Sequence, residues 1–291
     1  MISCIKITLK HIIPSQSRVK IRKLKRRFIS FIKRADKKKT TLQDFENILR
    51  TKIGLKKGDK IFVTSSFGNL NVAFSPRELM QLLMDIVTEE GTIMMPYYPP
   101  MNSDEWARGN NVFDMKETKS GMGVITNVFS KMPNVLKSIH PIKAVCVWGK
   151  DAEKYIENHF NATTPYYWDS PYGKMLKDKC FTLGLGVRNN PIFHTIEDVV
   201  SEPFTKYYLP EKFYLKVITA EKEELSIATY IHNTKIISRC ISSGEFIEKL
   251  GCKTYNKTNI GTSYVYLIDN SEVYEKVQDL IRKGEDKLRL K

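Results

Sequence analysis

Hydrophobic positions along the chain alternate between two periods. Lys60–Ser65 (KIFVTS) is a short, β-branched apolar run, and Thr92-Ile93-Met94-Met95-Pro96 is another. Apolar runs of that length read as buried strands. Between them, Ser75-Pro76-Arg77-Glu78 has the residue types of a helix start: Ser75 as cap, Pro76 in the first turn and Glu78 closing a capping box. The helix it opens runs to about Thr88. An earlier helix is capped by Thr40 or Thr41 and extends to about Lys52. Further strands are predicted over 144–148, 180–185, 213–218 and 263–267, with a helix over 123–132 and loop-rich sequence over 97–119. This alternation predicts an α/β fold, a mixed, largely parallel central sheet flanked by helices. Residues 41–291 show no repeat and no linker, so they read as one domain.

Charge separates that domain from what precedes it. Fourteen of the 47 Lys/Arg but one of the 32 acids lie in residues 1–40, which leaves the rest of the chain at +2. Within the arm, Ile21, Leu24, Phe28, Phe31 and Ile32 fall at helical spacing with Arg and Lys between them. A basic amphipathic helix suits an anionic membrane surface, and a packed helix with a solvated basic face is the plainer alternative. Nucleic acid is not expected, since no recognition motif accompanies the arm. The five cysteines (Cys4, Cys146, Cys180, Cys240, Cys252) are odd in number and scattered, a pattern of reduced thiols rather than of disulfides or a metal knuckle. No apolar run approaches the roughly 20 residues that span a bilayer, and the first 13 residues lack a secretory cleavage pattern. The expected location is the cytoplasm, peripheral at the inner face of the membrane. A homo-oligomer is left open.

Three segments carry candidate chemistry. In Phe193-His194-Thr195-Ile196-Glu197-Asp198, His194 and Glu197 share a helix face, where the carboxylate orients the imidazole as a general base. A surface hydrogen bond is the bland reading of the same pair. Ser120-Gly121-Met122-Gly123 precedes a predicted helix, and Gly121 and Gly123 let backbone approach a ligand near free N–H groups. Ser65 and Ser66, at a strand's carboxyl end, offer hydroxyls and backbone donors. Their plainer role is strand-end capping.

Taken in order, the segments resemble the aminoglycoside 3-N-acetyltransferase family. The matching stretches are GDKIFVTSSFGNL, EEGTIMMPYY, the loop from Trp106 to Phe113-Asp114, SGMGVITNVFSKMPNVLKSIHP, VCVWG, TPYYWDSPYGKM, LGLGVRNNPIFHTIED and IGTSYVYLID. Together they cover roughly residues 41–285. The resemblance implies acetyl transfer from acetyl-CoA to a sugar amine. His194 with Glu197 matches the family's histidine–acid pair. The segment Ser120, Gly121, Met122 and Gly123, with Ser65 and Ser66, would hold the coenzyme and the developing oxyanion, and no metal is implied. Direct transfer is more economical than an acyl-enzyme, since no cysteine lies in an activating motif.

Departures from the family bear on the acceptor. Ile142 and Ala144 replace hydroxyl positions after His140-Pro141, and Tyr97-Tyr98-Pro99-Pro100 alters the segment after Met95-Pro96. Tyr97, Tyr98 and Trp106 are candidate sugar-stacking faces, or core aromatics; Asp114 and Asp169 are candidate acceptor ligands. With a near-neutral body and a basic arm, the expected acceptor is a nucleotide-linked amino sugar of surface polysaccharide assembly. Aminoglycoside resistance is the alternative reading, and a catalytically inactive, membrane-associated scaffold is a third.

Overall fold

The computed structural model describes residues 39–289 apart from 202, 204, 262, 286 and 287. The amphipathic helix expected in the arm lies outside the described residues, as does the rest of the arm up to residue 38.

Local signals set most of the early elements. Thr41 accepts the Asp44 N–H to start α1 (Leu42–Asn47), which continues as a wider turn to Ile53 and stops at Gly54, where φ is +84°. After β1 (Lys60–Ser65), Ser75 and Glu78 close the expected capping box on α2 (Pro76–Val87). Then follow β2 (Thr92–Tyr97), α3 (Ser103–Arg108), β3 (Phe113–Asp114), α4 (Val124–Phe129), β4 (Leu136–Lys137), β5 (Ala144–Gly149), α5 (Ala152–Ile156) and α6 (Pro171–Lys177). The remainder is β6 (Phe181–Leu185), α7 (Ile192–Val200), β7 (Phe213–Ile218), β8 (Glu224–Thr229), α8 (Thr234–Ile237), α9 (Ser243–Leu250), β9 (Asn256–Ile260), β10 (Ser263–Asp269) and α10 (Asn270–Arg282). The loop-rich stretch after Tyr97 thus holds a short helix and a short strand.

Seven strands form one sheet in the order β4-β5-β2-β1-β6-β10-β9. The sheet is mixed, with its parallel pairs at the centre: β1 runs parallel to β2 and to β6. Both flanks are antiparallel, β5 on β2 and β10 on β6. The 213–218 strand does not join this sheet. It pairs with β8 and β3 in a separate three-stranded sheet.

Side chains alternate across the large sheet. Ile61, Val63, Ile93 and Met95 pack with α1, α2 and α4 on one face, whereas Phe62, Met94, Tyr266 and Ile268 pack with α6, α7 and α10 on the other. Both faces are therefore covered, which is why the central strands are apolar throughout rather than alternating. Tyr266 needs space on its face. A Cβ at Gly184 would overlap its ring, so only glycine fits there. The Tyr266 hydroxyl in turn donates to the Asn189 carbonyl at 2.9 Å, tying the loop after β6 to the sheet.

Candidate active site

His194 stands in the first turn of α7, reached from the carboxyl end of β6. Asn190 fixes that entry. Its Oδ1 accepts the Ile192 N–H at 3.1 Å, its Nδ2 donates to Asn270 Oδ1 at 2.9 Å, and its N–H donates to Ser243 Oγ at 2.9 Å. Three elements thus hold the helix start, and the histidine faces a cleft of about 530 Å³. Open α/β sheets place their chemistry at this edge, beyond the carboxyl ends of parallel strands.

Glu197 lies one helical turn on and accepts from His194 Nδ1 at 3.0 Å. The carboxylate is 1% exposed and is gripped by Arg289, Nε to Oε1 and Nη2 to Oε2, both at 2.8 Å. Arg289 also donates from Nη1 to the Ile241 carbonyl at 2.9 Å. Burial alone would raise the Glu197 pKa, but the bonds from His194 and Arg289 outweigh it and hold the group below the ordinary carboxylate range. An ionised carboxylate only accepts, so the proton of the His194–Glu197 bond sits on Nδ1 and Nε2 keeps its lone pair for the cleft. Burial, with smaller repulsions from Arg289 and Lys143, pushes the His194 pKa below its usual value, partly offset by Glu197. The imidazole is therefore neutral and ready to accept a proton at neutral pH.

Aromatic rings wall the cleft. Tyr166 stacks on His232 with centroids 5.4 Å apart, and both rings flank His194, at 5.1 and 4.7 Å. Behind them, Asp198 accepts from Thr164 Oγ1 and from the Tyr208 hydroxyl at 2.6 Å. Burial raises its carboxyl well above the usual range, against the lowering effect of these two bonds, and Asp198 holds these elements together. Among the described residues no thiol is activated: burial pushes Cys146 and Cys180 up to about 12 and Cys252 up to about 11, and raises Cys240, which lines the cleft.

The other expected site residues divide. Met122 lines the His194 cleft. Gly121 is fixed by packing, since a Cβ would lie 2.7 Å from Pro100 Cα. At Gly123 φ is +106° and nothing lies within 4 Å of a built Cβ, so backbone is open beside the cleft wall. Such an open glycine next to Met122 fits the passage of a thin chain such as pantetheine. The Ser120 hydroxyl is turned inward, accepting the Met122 N–H at 3.1 Å. Helix α4 is shorter than the expected 123–132, which weakens its N-terminus as an anion site. Ser65 pairs with Leu185 in the ladder, and the Ser66 N–H is spent on the Leu185 carbonyl at 2.8 Å, which removes that N–H as an oxyanion donor. Ser66 instead lines a second cleft with Gly186, Arg188 and Tyr264, which meets the first at Asn189.

Of the expected acceptor residues, Tyr98 lines the His194 cleft and the other four are not brought to it. Tyr97 is 4% exposed, donates its hydroxyl to the Thr118 carbonyl at 2.8 Å and packs edge-on against Phe113. Trp106 is buried in the same core. Asp114 organises its own turn by accepting the Lys116 and Glu117 N–H groups, and Asp169 accepts the Thr163 N–H and hydroxyl. His140 is structural: Nδ1 accepts the Ile142 and Lys143 N–H groups, leaving Nε2–H toward Thr229. Sequence reasoning missed Arg289, 92 residues from its partner and inside a basic tail, and also His232, Tyr166 and Lys143, which carry no spacing signal.

Comparison with known proteins agrees with this architecture. The chain is 31% identical over 172 residues, half its length, to the SPbeta prophage-derived aminoglycoside N(3')-acetyltransferase-like protein YokD of Bacillus subtilis. It is 24% identical over 155 residues, 52% of the chain, to aminoglycoside N(3)-acetyltransferase IV of a Salmonella species. These alignments span 60% and 57% of the two relatives. The crystal structure of YokD superposes with a TM-score of 0.69 at 22% identity, covering 87% of this chain and 97% of that one. The coenzyme A complex of AAC-IIIb gives 0.65 at 18%, covering 85% and 98%. The family model for aminoglycoside 3-N-acetyltransferase matches residues 62–282, a span that includes most of the three central strands, the glycine loop and the His194–Glu197 pair, and the chain belongs to that family.

Proposed function

We propose that this protein is an acetyl-CoA-dependent N-acetyltransferase acting on a primary amine of an amino sugar. The observation that carries the reading is the buried Arg289–Glu197–His194 relay, which presents an unprotonated Nε2 to an aromatic-walled cleft. Acetyl-CoA supplies an acyl carbon activated by a thiolate leaving group. The chain's own residues do the rest of the work: His194 Nε2 takes the proton of the attacking amine as the N–C bond to the acyl carbon forms, Glu197, kept ionised and in place by Arg289, stabilises the resulting imidazolium, and the imidazolium returns the proton to the coenzyme A thiolate as the C–S bond breaks. The raised thiols favour direct transfer over a cysteine acyl-enzyme.

For the acceptor, the relatives are named for aminoglycosides, and solved structures of the fold contain sisomicin and a gentamicin. These names support an aminoglycoside-type amino sugar better than the expected nucleotide-linked sugar of polysaccharide assembly, for which they give no support. A scaffold role has little in its favour, because a scaffold needs neither an oriented imidazole nor a guanidinium to hold its partner. Among the described residues no helix is long and apolar enough to cross a membrane. Peripheral attachment through residues 1–40 is a separate proposal, tested by co-sedimentation of the full chain with anionic vesicles.

Calorimetric titration of the full chain with acetyl-CoA tests the reading. One-site saturable binding, weakened by Gly123→Asp, is the expected result. Absence of binding at millimolar coenzyme sinks it.

A further inference from the structure

Lys143 enters the cleft as a cation that no described residue neutralises. Its backbone is pinned on both sides: the N–H donates to His140 Nδ1 at 3.0 Å, and the carbonyl accepts the Tyr172 hydroxyl at 3.1 Å. From there the side chain crosses the Tyr98 ring, with Nζ 4.3 Å from its centroid and 5.9 Å from that of Tyr166. Among the described residues the ammonium makes no ion pair and no hydrogen bond. Burial lowers its pKa to about 8, which still leaves it mostly charged at neutral pH.

The surroundings offer no compensation. None of the described residues lining the cleft is Asp or Glu. Glu197 is already matched by Arg289, and Asp198, whose carboxyl burial raises, does not line the cleft and accepts from Thr164 and Tyr208. His194 and His232 are neutral, since burial lowers both. The cleft wall thus bears about one uncancelled positive charge. An aromatic face offsets part of the cost of desolvating a cation, and an anion does so far better. A ligand amine brought into this space as an ammonium meets repulsion instead.

We propose that Lys143 sets acceptor selectivity: the cleft takes an amino sugar that carries an anionic group, phosphate ester or carboxylate, beside its amine, and disfavours polycations. This rests on the amino-sugar acetyltransferase reading and narrows its substrate class. It also separates this chain from what the names of its relatives suggest, since an aminoglycoside brings several ammonium groups and no anion.

Binding, rather than turnover, is the direct test. The full chain, saturated with coenzyme A, is titrated with glucosamine, glucosamine 6-phosphate, 2-amino-2-deoxyglucuronic acid and sisomicin. The expected result is tighter binding of one or both anionic sugars than of glucosamine, by about 10- to 100-fold, with sisomicin weakest. The phosphate and carboxylate arms tell which anion the site prefers. Lys143→Glu is expected to invert the order and leave coenzyme A affinity unchanged. Lys143→Met, which keeps an apolar stem on Tyr98, is expected to erase the preference without inverting it and serves if the acidic variant does not fold. Sisomicin binding tightest to the unaltered protein, no binding of either anionic sugar, or an effect of both variants on coenzyme A affinity alone would each overturn the proposal. Failure of the parent reading looks different: selective binding persists, but no amine is acetylated.

Discussion

At the scale of single residues, the account turns on which atoms hold the proton. His194 Nδ1 is committed to Glu197, so Nε2 is the proposed base, a role that requires the imidazole to be neutral. The pKa of His194 lies below its ordinary 6.5, so kcat/KM, expressed per concentration of unprotonated acceptor amine, should stay flat through neutral pH and fall only as pH drops through that lowered value. A pH–rate profile whose acid limb lies above 6.5 contradicts this. Arg289 supplies a second residue-scale prediction. Arg289→Met leaves Glu197 buried without its counter-ion, which costs about 3–5 kcal/mol of stability by analogy with broken buried pairs. It also removes a charge that lowers the His194 pKa, so the acid limb should move upward. Denaturant titration and the pH profile of the same variant check both effects. A variant with wild-type stability would mean that the Arg289–Glu197 contact is incidental.

At the scale of elements, the site depends on how rigidly β6 hands over to α7. Gly184→Ala places a methyl where the Tyr266 ring sits, and displacing that ring releases the hydroxyl that holds the Asn189 carbonyl. The expected cost is about 1–3 kcal/mol of overpacking strain, together with reduced turnover, because Asn190 next door pins the helix of His194. Melting temperature and kcat should fall together, and a variant that loses neither would show that the loop is held by other contacts. Several of these elements were legible in advance. The capping box of Ser75 and Glu78, the β-branched run of β1 and the helical spacing of His194 and Glu197 are local patterns, and each took its expected form. What was not legible is non-local. Phe213–Ile218 reads as one more strand of the main sheet, and nothing in its sequence says that its partners are β8 and β3. Tyr97 and Trp106 look like sugar platforms because exposure cannot be read from residue type; in the fold they are core. Arg289 carries no sequence signal at all, since its meaning comes entirely from a partner 92 residues away.

At the scale of the whole molecule, buried histidines link stability to pH. His140, His159, His194 and His232 all have pKa values lowered by burial, that of His159 to about 3. Below 6.5 the unfolded chain binds protons that the folded chain refuses. Stability is therefore fully present above that pH and is lost as pH falls from 6.5 through each native value, by up to about 1.4 kcal/mol per pH unit for each such histidine. Chemical denaturation at pH 7 and pH 5 checks it, and equal stability at the two would contradict the burial of these rings. The same interior supports the central claim, that an oriented, neutral His194 is the base of acetyl-CoA-dependent N-acetylation. The most direct test is coenzyme A release from acetyl-CoA in the presence of amino-sugar acceptors of each charge class, comparing the native chain with His194→Gln. The account predicts release that requires an amine and falls by about 10²–10⁴ in the variant, with acetyl-CoA affinity retained. Turnover by the variant at close to the native rate would contradict it.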